Sequence, residues 1–109
     1  MTVEEVEEVV RVQSADHLTA TNDHRIALKQ ALVRSHKISV IARTVEAGRV
    51  KDRNVVVWLV GQEPRNDGYK IVMRDDGLQF GLASDGFLND RLPVLDGWYG
   101  DLMSAFLSM

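Results

Sequence analysis

Histidine titrates near neutral pH and is the commonest metal ligand, so His17, His24 and His36 are the first residues to test for chemistry. His17 and His24 stand seven residues apart. On one helix that spacing separates them by about 10.5 Å along the axis, too far to share a zinc ion with bonds of about 2.1 Å. His36 belongs to a further turn, and neither His-x-Glu nor His-Glu-x-x-His occurs. The pairs Asp16-His17 and Asp23-His24 are adjacent in sequence, a spacing that does not orient an imidazole. The stretch Gly81-Leu82-Ala83-Ser84-Asp85-Gly86 approaches an esterase elbow, but Leu82 stands where that elbow needs glycine and no histidine follows Ser84. Gly77, Gly81 and Gly86 do not make a dinucleotide fingerprint, and no Gly-Lys-Ser or Gly-Lys-Thr occurs. Asp75, Asp76, Asp85 and Asp90 lack calcium-loop spacing. The absence of cysteine excludes thiolate catalysis, disulfides and cysteine zinc sites. No catalytic, metal-binding or cofactor-binding residue is therefore assigned and no cofactor is expected. An enzyme on this chain would need a pocket whose groups converge from distant parts of the sequence, and a non-enzymatic protein is expected instead.

Charge is the more informative pattern. The stretch from Met1 to His24 has a net charge of -5, Arg25 to Arg53 has +6, and the remainder -4, for a total of -3. The middle block carries Arg25, Lys29, Arg34, Lys37, Arg43, Arg49, Lys51 and Arg53. Arg25, Lys29, Arg43, Arg49, Lys51 and Arg53 are the candidate anion-binding surface, for nucleic acid or an acidic protein. The competing explanation is internal: glutamates of the first segment and aspartates of the C-terminal half would face this block as weak surface ion pairs. A net negative chain is repelled from nucleic acid at long range, and Trp58 is the one aromatic near these cations, so nucleic acid ranks behind a protein partner.

The elements that would carry these residues follow from periodicity. Thr2 with Glu5 makes a capping box, and Val3, Val6 and Val10 recur on one stripe, so a short first helix is predicted, followed by a loop over Gln13–Thr21. Asn22 or Thr21 is placed to cap a second helix to about Lys37, with Ala27, Leu28, Ala31 and Leu32 on its core face. Ile26 and Val33 then fall together on the opposite side, a second apolar stripe that suits a partner chain. Beyond Lys37 the period changes to two. A hairpin is predicted from strands over Ile38–Ala47 and Arg53–Gln62 with Gly48 in the turn. Val55–Val60 around Trp58 is apolar on both faces, so that strand should lie inside a sheet covered above and below.

Pro64–Gly68 is a turn cluster, and Asp75-Asp76-Gly77 joins two further alternating strands, Tyr69–Met73 and Leu78–Leu82. Ser84-Asp85-Gly86 closes the last strand, Asn89–Pro93 reads as irregular, and a final helix is predicted from about Gly97, capped by Asp96.

The predicted fold class is α+β: a two-layer sandwich of a four-stranded antiparallel meander sheet with helices before and after it, in the order α-α-β-β-β-β-α. One domain spans residues 1–109, with a short helix and loop over 1–21 and the core over 22–109. This element order resembles that of small acidic secretion-chaperone-like and adaptor folds, an analogy of architecture that transfers no residue. The acidic start lacks a secretory signal pattern and the longest apolar run is six residues, so a cytoplasmic protein without a membrane span is expected. The expected function is a non-enzymatic protein-interaction or adaptor module that self-associates as a homodimer or binds another protein, through Ile26, Val33 and the strand around Trp58. Anion or nucleic-acid binding by the basic block is the alternative.

Overall fold

Thr2 opens the first element as read from the sequence. Its hydroxyl accepts from the Glu5 amide while the Glu5 carboxylate accepts from the Thr2 amide, and α1 runs over Val3–Ser14 with Val6 and Val10 buried. The computed structural model describes residues 1–64, 68–85 and 92–109. After α1 come α2 (Leu28–Ala31), β1 (Leu32–Glu46), β2 (Arg49–Gln62), β3 (Lys70–Met73), β4 (Phe80–Ser84), β5 (Val94–Gly100) and α3 (Leu102–Leu107). The five strands close into a barrel in the order β1-β2-β3-β4-β5.

That barrel overturns the predicted two-layer sandwich, and two segments account for the difference. The first is the expected helix over 22–37, of which a single turn, α2, is helical. Upstream of it Asn22 is buried and folds its Oδ1 back to accept from the amides of His24 and Ile26, while Arg25 takes a left-handed φ of 60°. Downstream, Leu32 pairs with Gly61 and His36 with Leu59, so β1 begins six residues earlier than expected. A helix face of Ala27, Leu28, Ala31 and Leu32 is real as periodicity, but pairing with β2 outweighs helix propensity in a segment containing Val33 and Ile38. Without that helix, the stripe that joined Ile26 to Val33 does not exist.

The second is the tail. Val94–Gly100 is a strand, and the helix starts only at Leu102, capped by Asp101, whose Oδ1 accepts from the Ser104 amide, rather than by Asp96. Gly81 makes this fifth strand possible: an added Cβ there would lie 2.4 Å from the Gly97 carbonyl oxygen and 2.8 Å from the Trp98 ring. β5 lies antiparallel beside β4 and meets β1 in parallel at Ile41 and Val94, where the Ile41 amide donates to the Pro93 carbonyl at 2.8 Å.

The sheet then has two apolar sides. One cluster is built of strand residues alone, Val40, Val57, Leu59, Val72 and Ala83 with Leu95 and Trp98 against them, and it fills the barrel. The other lies outside, where Trp58, Val60, Ile71, Met73, Phe80 and Leu82 are covered by Val6 and Val10 of α1, Leu28 and Ala31 of α2, and Leu102, Ala105 and Phe106 of α3. The doubly apolar strand predicted around Trp58 is thus interior, flanked by β1 and β3, with Val57–Val60 buried. The strand pair β3–β4 joined through Asp75–Gly77 also stands as read, with Gly77 at a φ of 75°. Part of the Pro64–Gly68 turn cluster, Gly86, and positions 89–91 of the irregular segment lie outside the described residues. Among the described residues no helix is long and apolar enough to cross a membrane.

Candidate functional site

The β1–β2 ladder continues well past the barrel. β1 leaves its contact with β5 at Ile41, yet the register runs on through Ala42↔Arg53, Arg43↔Asp52, Thr44↔Lys51, Val45↔Val50 and Glu46↔Arg49. Ala47 and Gly48 close the arm, both with positive φ, 50° and 76°, as a mirror-image turn demands. Residues 44–54 are all exposed, so this is a ribbon with water on both faces.

Side-chain alternation sorts the arm into two surfaces. Arg49, Lys51 and Arg53 share one face with Glu46 and Thr44; Val45 and Val50 sit opposite each other on the other face, 71% and 63% exposed. Arg43 forms a two-pronged ion pair with Asp52 at 2.8 and 2.9 Å, and its guanidinium holds the Asp52 carboxyl below the usual carboxylate range. Lys51 reaches Glu46 at 3.0 Å. Arg49 and Arg53 have no ion pair among the described residues. Four of the six predicted anion-binding cations, Arg43, Arg49, Lys51 and Arg53, are therefore gathered on the arm. Arg25 and Lys29 are not; they lie exposed in the segment around α2, beside the Asn22 turn.

The acidic counterpart is far away. Glu7 of α1 accepts from the Ser35 amide at 2.9 Å, which seats α1 at the start of β1. Eleven residues of strand separate Ser35 from Glu46, at most about 36 Å at about 3.3 Å per residue, in a molecule 44 Å long. Charges so far apart do not interact across a screening length of about 8 Å. The glutamates of the first helix thus do not face the arm tip, and two of the arm's four cations, Arg43 and Lys51, are paired locally with Asp52 and Glu46. Arg34, by contrast, does line a cleft with Glu4, Glu7 and Glu8 of α1.

The predicted protein-contact residues are placed apart. Ile26 is half-buried against the outer core, Val33 is half-buried against the barrel interior, and Trp58 is buried, its indole N–H donating to Asp75 at 2.8 Å with Lys37 over its ring. The indole bond holds the Asp75 carboxyl below its ordinary range.

A second feature was invisible in sequence. His24 Nδ1 lies 2.8 Å from Glu63 Oε1, thirty-nine residues on, at the wall of a cleft of about 450 Å³ shared with Ile26 and Pro64. A carboxylate accepts only, so Nδ1 carries the proton in this bond. Tyr69 stands 6.1 Å from the imidazole. The bond orients the imidazole, and no serine, threonine, cysteine or lysine lines the cleft among the described residues. Among the described residues no cluster of three or more His, Asp or Glu is arranged to hold a metal.

No known relative helps to choose between these sites. The chain matches no family model, no curated protein and no solved structure. What remains is the geometry: a charged, two-faced ribbon at one end and an acidic helix at the other. Val45 and Val50 were missed as surface residues because the sequence shows them only as ordinary strand valines. Reading the register outward from Gly48 pairs them across the turn, but nothing local says that the barrel stops short of them.

Proposed function

We propose that this chain is a non-enzymatic protein-interaction module that engages an acidic protein surface through the β1–β2 arm. The observation that carries this is the arm itself, a paired ribbon that continues past its last contact with the barrel and leaves both faces in water. A two-stranded ribbon without a core to cover it is marginal in water, so keeping one extended in strict register favours a role in contact. Its composition supports a protein partner. A cationic face offers Arg49 and Arg53 to carboxylates, and the valine pair offers apolar area at the centre of a contact.

Cations two residues apart on one strand face, about 6.6 Å, also suit a row of phosphates. Against that reading, Glu46 and Asp52 sit among them, no aromatic occurs between Arg43 and Asn54 on which a base could stack, and the net charge is -3.

Titrating a labelled polyglutamate peptide and a short DNA duplex against the protein at low salt separates the two. The peptide is expected to bind at least tenfold more weakly to an Arg49→Glu/Arg53→Glu variant than to the unaltered chain, and the duplex to bind less tightly than the peptide. A duplex that bound more tightly, with the same sensitivity to the two substitutions, would replace the protein reading with the nucleic-acid one. If neither probe distinguishes the variant, the arm is not a docking element.

A further inference from the structure

Resting on the arm as the docking element, we infer that the acidic surface it fits is the α1 end of a second copy of this chain. The copies would thus associate by an arm-to-helix contact. Both halves of such a contact are present in every copy. At one end, Val3, Glu4, Glu7, Glu8, Arg11 and Arg34 line an open cleft of about 470 Å³ between α1 and the start of β1. Three glutamates stand there against Arg11 and Arg34, a net charge of -1, and its apolar element is Val3, 37% exposed. Glu7 spends one oxygen on the Ser35 amide, and Glu8 is tied to Arg11, whose hydrogen bond keeps the Glu8 carboxyl ionised to lower pH than usual. Glu4 has no ion pair among the described residues.

At the other end the arm tip brings Arg49 and Glu46 onto one face and Val45 and Val50 onto the other. A tip that enters a cleft presents both faces at once, so cations meet the glutamates while the valines meet Val3. The net sign of the cleft and its apolar element correspond to those of the arm tip.

Geometry forbids the contact within one molecule. The paired strand that joins the two surfaces spans up to about 36 Å, and it cannot fold back without breaking the β1–β2 ladder. Two complementary surfaces that cannot meet in one chain can meet between chains, either reciprocally in a pair or successively in an array. The contact is small and charged, so it should be salt-sensitive and weak, in the class of transient interfaces.

The test uses the full chain and two charge-reversed variants, Arg49→Glu/Arg53→Glu on the arm and Glu4→Lys/Glu8→Lys on α1. Neither pair touches the core, Glu5 and Glu7 are left in their structural bonds, and a thermal melt of each variant checks the fold. The single substitutions Arg49→Glu and Glu4→Lys are the milder replacements if a double variant melts early. Sedimentation at 50 mM salt is expected to show the unaltered chain above monomer mass and each variant as a monomer. Raising the salt to 500 mM should weaken association of the unaltered chain at least tenfold. Mixing the two variants in equal amounts should restore a complex, because each supplies the surface the other lacks. A helix variant that still associates would mean that the arm meets some other surface, and the inference falls. It falls equally if the mixture stays monomeric, or if the unaltered chain is a monomer up to millimolar concentration. In that last case the polyglutamate titration decides separately: retained binding keeps the arm as a docking element for a different acidic protein, and lost binding removes both.

Discussion

Val60 and Val50 are ten residues apart on the same strand and chemically identical, yet Val60 is fully buried and Val50 is 63% exposed. The half of β2 containing Val60 is covered on its outer face by α1, α2 and α3, and its alternate residues fill the barrel. Among the described residues nothing covers the half containing Val50, where residues 49–54 are all exposed. The ladder of backbone hydrogen bonds is common to both halves, so what distinguishes them is the apolar area each removes from water. Strand formation and core formation are separate properties here, and the arm is a strand pair without a core.

The most forceful way to break that comparison is to truncate the two valines in parallel. Val60→Ala leaves a void in a site with no room to collapse, and a loss of about 1.5–3 kcal/mol is expected in denaturant unfolding. Val50→Ala should stay within about 0.5 kcal/mol, the ordinary range for an exposed substitution. If the two losses were comparable, the arm would be covered in solution, and repeating the Val50→Ala measurement over a range of protein concentrations would show whether a second copy provides the cover.

Next in size is the closure that decides where the covered region ends. Gly81→Ala places a methyl carbon against the Gly97 carbonyl and the Trp98 ring, a backbone contact that cannot rotate away, so β4 and β5 must part. A loss of about 1–3 kcal/mol is expected, together with faster amide exchange at Leu82 and Ala83. The arm, which makes no use of β4, should exchange at unchanged rates. Parallel loosening of the arm would show that its register depends on the closed barrel and that the two regions are one cooperative unit.

How much of this was legible follows the same division. The capping box at Thr2, the hairpin about Gly48, the interior strand around Trp58 and the strand pair about Gly77 were readable because local chemistry and period two agree with the final pairing. Leu32–Lys37 was not, since its helical period is satisfied by one turn of α2 and then overruled by a partner strand that begins at residue 49. Val94–Gly100 was not, since Trp98 also fits the helical spacing of Leu102 and Ala105, and only the space left at Gly81 reveals the strand. Of the candidate site, the cations were visible as a charge block, but their division into an arm of four and a distant pair, Arg25 and Lys29, depends on where β1 leaves β5. The His24–Glu63 bond joins residues with no shared pattern.

Acid should sharpen the contrast at its smallest scale. In the folded chain the Asp52 carboxyl is held below its ordinary value of 3.8 by the Arg43 guanidinium. A lowered folded pKa means that the bond's contribution is fully present above the unfolded value and is lost as pH falls through the folded one. The arm should therefore fray from about pH 4 downward while the buried strand segment Val57–Val60, which has no titrating side chain, remains closed. Exchange protection factors, corrected for intrinsic rates, are expected to fall first at Thr44 and Lys51 and to hold at Val57–Val60. Asp52→Asn should give the frayed arm at every pH and remove the transition. An acid response that begins instead in the barrel would point to Asp75, whose carboxylate is likewise held low by the Trp58 indole N–H, and would place the weaker joint at the core rather than on the ribbon.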